Sequence, residues 1–187
     1  MTVPGIGQSG ASPAPHVGSL GVIISLPAEL AAEISAKRVS YAGPEAAVVP
    51  PHITLVSGKA SDSWDEAASY VREVAAAGEP FTLSLRGTGT FEPLSPVVYL
   101  NVESGAKECA RLHEALLQGP VEHLLEFDFH PHLTIAHDLD SGAMESAKRE
   151  MAGFAAEFEV TSIGLFDFIA GGWALREELE LGGNGQA

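Results

Sequence analysis

The stretch Pro51-His52-Ile53-Thr54-Leu55 returns 80 residues later as Pro131-His132-Leu133-Thr134-Ile135. Both copies read proline, histidine, aliphatic, threonine, aliphatic. Each sits in a run of strand character, Val48–Val56 and Phe129–His137. Successive side chains of a strand point to opposite faces. His52 and Thr54 therefore share one face, and Ile53 and Leu55 turn to the packed one. The same parity separates His132 and Thr134 from Leu133 and Ile135. A lone His-x-Thr is ordinary in a strand, where threonine is chosen for its β propensity. Two copies in matched contexts instead point to two equivalent halves, each giving one His/Thr pair to a shared cleft.

The surrounding chain supplies the elements for such halves. Gly18–Leu26 reads as a buried strand, and Pro27 suits the first turn of a helix to about Tyr41. Leu30, Ile34 and Val39 give that helix one packed face. Gly43-Pro44 breaks it. Asp62 or Ser63 can cap a helix through Ala77, ended by Gly78 and Pro80. Phe81–Leu85 and Val97–Val102 read as strands, and Ala106–Leu117 and Ser141–Phe154 as helices. Phe158–Phe166 and Trp173–Leu181 close the chain as strands around the turn Ala170-Gly171-Gly172. Strands and helices interleave without a run of identical βα units, which predicts an α+β architecture with helices on one side of antiparallel sheets. Gly87-Thr88-Gly89 lacks a third glycine and a following helix, so it reads as a turn rather than a nucleotide fingerprint. Met1–Val17, rich in Gly, Ser, Pro and Ala, reads as a flexible leader, and 18–187 as a single domain.

Composition narrows the function. The 187 residues are 45% hydrophobic and 19% charged, an ordinary globular balance. Ten Lys+Arg stand against 25 Asp+Glu, a net charge of −15. Proteins that grip a long phosphate backbone cluster their basic residues. Here the adjacent basic pairs are Lys37-Arg38 and Lys148-Arg149, both read as solvated helix faces. No large nucleic-acid footprint is expected, whereas one phosphate in a local pocket is compatible with an acidic surface. The apolar runs are too short for a membrane span and no secretory signal is visible. A cytoplasmic monomer without cofactor is the expectation. The one cysteine, Cys109, excludes an internal disulfide and reads as a buried helix residue.

The duplicated pair suits phosphodiester cleavage. One imidazole must be neutral to take a proton from the attacking group, and another protonated to give one to the leaving oxygen. Histidine, with an ordinary pKa of ~6.5, serves either role. Threonine hydroxyls and backbone N–H groups can hold the phosphoryl oxygens without a metal. His52 and His132 are thus the candidate catalytic residues, and Thr54 and Thr134 the candidate phosphate-binding ones.

The paired motifs, their separation and the strand–helix order resemble the 2H phosphoesterase superfamily, which includes the bacterial 2′-5′ RNA ligase-like proteins and cyclic nucleotide phosphodiesterases. The resemblance runs from about Gly18 to Leu181. It implies a bilobal α+β fold, with two pseudo-symmetric halves lining a central cleft and helices outside. It also implies metal-free hydrolysis or transesterification of 2′,3′-cyclic or 2′-5′ phosphodiesters of a small nucleotide or RNA end. Relatives of this kind often carry a basic residue, usually arginine, shortly after the second motif; His137 holds that place here.

Other candidates are secondary. Phe91, in the Gly87–Pro96 loop, together with His130 and His137, could line a substrate pocket. Tyr99 and Trp173 could wall a base, although aromatic residues on strands are commonly core. His130-x-His132 has the alternation of a zinc or copper chelate, but no cysteine or carboxylate is placed to complete it. His113 and His123 read as surface residues in or near a helix. Two other classes stay open: a non-catalytic module binding phosphorylated nucleotides or RNA, and a structural protein with metal-chelating histidines.

Overall fold

The computed structural model describes residues 18–123, 128–169 and 172–182. The leader Met1–Val17 and the turn residues Ala170 and Gly171 lie outside the described residues. In chain order the elements are β1 (Ser19–Ser25), α1 (Ala28–Ala42), a 3-10 turn (Pro44–Ala47), β2 (His52–Ala60), α2 (Trp64–Ala77), β3 (Phe81–Thr90), β4 (Val97–Val102), α3 (Ala106–Leu116), β5 (Val121–His123), β6 (His132–His137), α4 (Ser141–Met151), β7 (Ala155–Val160), β8 (Ser162–Ile169) and β9 (Gly172–Glu180).

The helix boundaries follow from their caps. Ser63 accepts from the Glu66 N–H at the start of α2, and Asp140 accepts from Gly142 and Ala143 at the start of α4. Strand boundaries depart further from expectation. β2 begins at His52 rather than Val48, because Pro50 and Pro51 carry no N–H for a ladder. β6 likewise begins at His132, after Pro131, so His130 lies outside the strand. The single strand expected at Phe158–Phe166 is two, β7 and β8, split at Thr161. The predicted Gly87–Gly89 turn lies within β3, which bulges there, with Gly87 at φ +68°.

The strands form one antiparallel sheet in the order β7-β3-β4-β6-β2-β1-β8-β9, with β5 pairing β2 as a side branch. The two motif strands, β2 and β6, meet at its centre. On one flank of that seam lie β1, β8 and β9, and on the other β4, β3 and β7. The halves are interlaced. β3, from the first half of the chain, pairs with β4 in the second lobe, and β8, from the second half, pairs with β1 in the first.

All four helices pack on one face of this sheet. α1 contacts β6, α3 contacts β2, α4 contacts β3, β4 and β6, and α2 contacts β8 and β9. The core lies between. Ile53, Leu55, Leu133 and Ile135, the aliphatic members of both motifs, are buried there beside Leu20, Val22, Leu100 and Ile163. Burying an aliphatic side chain of this size stabilises by roughly 1.5–3 kcal/mol. That cost sets the parity of β2 and β6, since a slip of one residue would turn the aliphatics out. Both histidines are thereby held on the face away from the helices.

Candidate active site

β2 and β6 are registered through Ile53 and Leu133. An antiparallel register through that pair sets His52 opposite Thr134 and Thr54 opposite His132, all four on one face. The row continues outward. Tyr99 on β4 lies opposite Thr134, and Ser25 on β1 lies opposite His52. Asn101 on β4 lies opposite His132, and Ile23 on β1 opposite Thr54.

The two rings are anchored identically. His52 Nδ1 is 2.8 Å from the Pro50 carbonyl oxygen, and His132 Nδ1 is 2.7 Å from that of His130. A carbonyl only accepts, so Nδ1 carries the hydrogen in both rings. Each neutral imidazole then has Nε2 unprotonated and available to take a proton. The anchoring carbonyl is two residues upstream in each case, on the segment that the motif proline holds off the ladder. The proline of each motif thus has a role in the site as well as at the strand end.

Burial dominates the electrostatics. His52 and His132 are 7% and 8% exposed. Desolvation lowers both to a pKa of about 4; the carbonyl partners oppose it, and the neighbouring His132 and Arg38 lower His52 further. His130 adds to the lowering at His132. Both rings are therefore neutral at pH 7 in the unliganded centre. An anion seated between them would favour their charged forms.

Aromatic rings wall the His132 side. Phe91 lies 4.9 Å from the His132 ring, nearly perpendicular to it, and 4.4 Å from Tyr99. Tyr99 is 5.2 Å from His132 and 5.3 Å from His130. His130 is exposed and lies 6.2 Å from His132, near parallel. The structure thus brings Phe91, Tyr99 and His130 together around His132. Tyr99 fits there because Gly89 on the adjacent strand has no side chain.

His137 takes a different place. It ends β6, exposed, with Nδ1 3.1 Å from Asp138 Oδ2. Trp173 packs on Phe168 in the β8–β9 hairpin. Among the described residues no three His, Cys, Asp or Glu side chains gather as metal ligands. A cavity of about 710 Å³ lies between α2 and α3, lined by residues including Tyr70, Glu73, Leu112 and Arg111, and none of the site residues borders it.

Three readings of the sequence are corrected. His113 is buried on α3, donating from Nδ1 to the Leu55 carbonyl at 2.7 Å and stacking on Phe129 at 4.0 Å. His123 is on β5, half-buried, and its Nδ1 accepts from the Ser57 N–H at 3.3 Å. These rings occupy the gap on the edge of β2 between its pairing with β6 and its pairing with β5. The third is Arg38, expected on a solvated face and found buried at 8% exposure. It follows Ile34 by one helical turn, as Ile34 follows Leu30. An arginine continuing an apolar stripe was the signal available.

The comparisons with known proteins accord with this geometry. The family model of the 2'-5' RNA ligase superfamily matches residues 26–172. A protein of Bacillus mycoides named "Putative phosphoesterase" is 31% identical over 87% of this chain and 96% of its own length. One of Oceanobacillus iheyensis with the same designation is 30% identical over 67% of this chain and 75% of its own. Among solved structures, E. coli LigT complexed with NADP+ superimposes with a TM-score of 0.67 at 23% identity, and the complex with 3'-AMP with 0.64 at 22%. Each alignment covers 89% of this chain and 99% of LigT. The seam of two His/Thr strands therefore stands in a known fold, and the chain belongs to the 2'-5' RNA ligase superfamily.

Proposed function

We propose that this protein is a metal-independent phosphodiesterase acting on 2′,3′-cyclic or 2′-5′ phosphodiesters of a small nucleotide or RNA end. The observation that carries the reading is the matched pair of imidazoles, each fixed by its Nδ1–H to a carbonyl two residues upstream and each presenting Nε2 on the same face. The LigT structures with 3'-AMP, NADP+ and ATP support a small nucleotide as ligand.

In this mechanism the phosphate sits between Thr54 and Thr134, whose hydroxyls and neighbouring backbone N–H groups bind its oxygens as charge builds on them. One histidine, neutral, takes the proton of the attacking water as the new O–P bond forms. The other, protonated once the anion is bound, gives its proton to the ribose oxygen as the old P–O bond breaks. The proton taken equals the proton given, so the pair ends with its roles exchanged and resets through solvent. The reverse direction, with a ribose hydroxyl as nucleophile, uses the same groups in opposite roles. Phe91, Tyr99 and His130 offer ring faces beside His132 for a nucleobase.

A turnover screen tests this directly. The substrates are 2′,3′-cyclic nucleotides, 2′-5′-linked dinucleotides and ADP-ribose cyclic phosphate, with EDTA present throughout. Turnover that survives the chelator is expected. Loss on chelation, restored by one added metal, would overturn the metal-independent mechanism. Binding of these compounds without turnover would instead make the protein a nucleotide-binding module.

A further inference from the structure

Among the described residues Arg38 is the one buried lysine or arginine. Its Nε and Nη2 donate to the Thr134 carbonyl at 2.9 and 2.6 Å, and its Nη1 donates to the Val49 carbonyl at 3.0 Å. Among the described residues no carboxylate pairs with it. Burying a guanidinium without a counter-ion is costly, and burial lowers its pKa to about 10, which leaves it charged at neutral pH. The two carbonyls it bridges belong to the two motif segments. Thr134 is a motif residue of β6. Val49 immediately precedes Pro50, whose carbonyl fixes the His52 ring. The guanidinium fills the wedge that opens where β2, entered through two prolines, stops pairing with β6.

The matching place on the other side of the seam is held by a different side chain. There α3 inserts His113, which bonds the Leu55 carbonyl through one nitrogen. Among the described residues the site is therefore symmetric in its histidines and asymmetric in its support: a permanent cation stands on the His52 side and an imidazole, His113, on the other.

We propose that Arg38 is a positioning residue of the two-histidine centre, which locks both motif segments in register and directs the single shared proton to His132. This rests on the phosphodiesterase reading and assigns the roles within it. His52 is the base toward water, and His132 is the acid toward the ribose oxygen. The charged and titratable groups that face His52 are Arg38 from α1 and His132 from β6; Ser25, across on β1, is uncharged. Those that face His132 are His130, His52 and, from β4, Tyr99, whose phenol is held above its ordinary value by burial and so is uncharged; none is a fixed charge.

Two variants separate the fork from the charge. Arg38→Lys keeps the cation and loses the planar pair of bonds to Thr134. Arg38→Met removes the charge as well. The measurements are histidine titration by NMR, with and without inorganic phosphate, and kcat and KM across pH. In Arg38→Met the His52 titration should move to higher pH by more than that of His132. In Arg38→Lys it should stay low while kcat falls by about 10–10²-fold at little change in KM, the scale of a small misplacement of reacting groups. A folded Arg38→Met with an unmoved His52 titration would overturn the electrostatic role. If Arg38→Met does not fold, Arg38→Lys decides: wild-type kcat there would overturn the positioning role. The NMR titration needs no substrate, so it stands or falls separately from the phosphodiesterase reading. That reading fails if the wild-type protein turns over none of the screened diesters.

Discussion

Gly89 lies beneath the ring of Tyr99, so close that a Cβ built on it would stand 2.6 Å from two ring carbons. The two residues face each other across β3 and β4, and the missing side chain is what lets the tyrosine ring lie over the neighbouring strand beside His132.

Gly89→Ala should therefore push the Tyr99 ring toward His132 and Phe91. The expected stability loss is about 1–3 kcal/mol, the usual scale of overpacking. KM for a nucleotide substrate should rise more than kcat falls, since the rings proposed to seat the base move while the histidine anchors do not. Denaturant melts and steady-state kinetics on the same preparation check both parts. Unchanged KM in a folded variant would remove Tyr99 from the substrate pocket.

His52→Ala and His132→Ala should each lower kcat by about 10²–10⁴-fold, the span of a general acid or base. The double variant should fall by far less than the product, because the two act as one unit. Thr54→Ala and Thr134→Ala should be milder, as backbone donors and water partly replace a hydroxyl. Near wild-type turnover in either single histidine variant, measured with a poor leaving group, would break the two-histidine scheme.

The pH profile should show the effect of burial. With both rings held near a pKa of about 4 in the unliganded centre, the fraction of free enzyme carrying one proton declines as pH rises above that range. The kcat/KM optimum should thus lie on the acid side of neutrality. The kcat profile reports the bound state, where the substrate anion raises the pair, so its optimum should lie at higher pH. Coincident optima for kcat and kcat/KM would contradict the coupling of anion and proton.

Stability should follow the same histidines, together with His123, which burial and then the neighbouring His113 also lower to about 4. Their folded pKa values are depressed below the ordinary ~6.5. Their contribution is therefore fully present above that value and is lost as pH falls through the window from there to about 4. For His52 and His132 together the loss is on the order of several kcal/mol, at ~1.4 kcal/mol per unit for each ring. Tm measured from pH 7 down to 4.5 should fall, and inorganic phosphate should offset the fall. The double variant His52→Asn/His132→Asn should lose less Tm over the same range; an equal loss would place the acid sensitivity elsewhere.

The central seam was legible in the sequence because its signal is local. Strand parity alone places His52 with Thr54 and Ile53 with the core, and the duplication identifies the partner. The start of α2, read at Asp62 or Ser63, and the start of α4 at Ser141 are legible for the same reason. Arg38 reads as solvated because it adjoins Lys37 in a basic pair, which outweighs its place on the Leu30–Ile34 stripe, whereas its partners, Thr134 and Val49, are set by how α1 lies over β6. His113 and His123 were misread likewise, since nothing nearby in sequence announces that β2 loses a neighbour between Leu133 and Gly58's partner His123. The Gly87–Gly89 segment reads as a turn in the sequence because its two glycines are followed by neither a third glycine nor a helix. Here one relieves a bulge and the other makes room for Tyr99, and both demands come from neighbouring chain rather than from the segment itself.

The crossing of β3 into the second lobe and of β8 into the first has a consequence for dissection of the molecule. A fragment ending after β3 would keep β1 without β8, β2 without β6 and β3 without either of its partners, so it would expose four raw strand edges. The complementary fragment would lack the strand that joins β4 to β7. Neither half is a module that can be expressed, swapped or circularised on its own. Co-expressed halves, by contrast, each hold the strand the other lacks and should reassemble by mutual strand donation, which makes the loop 91–96 a natural place to split the gene.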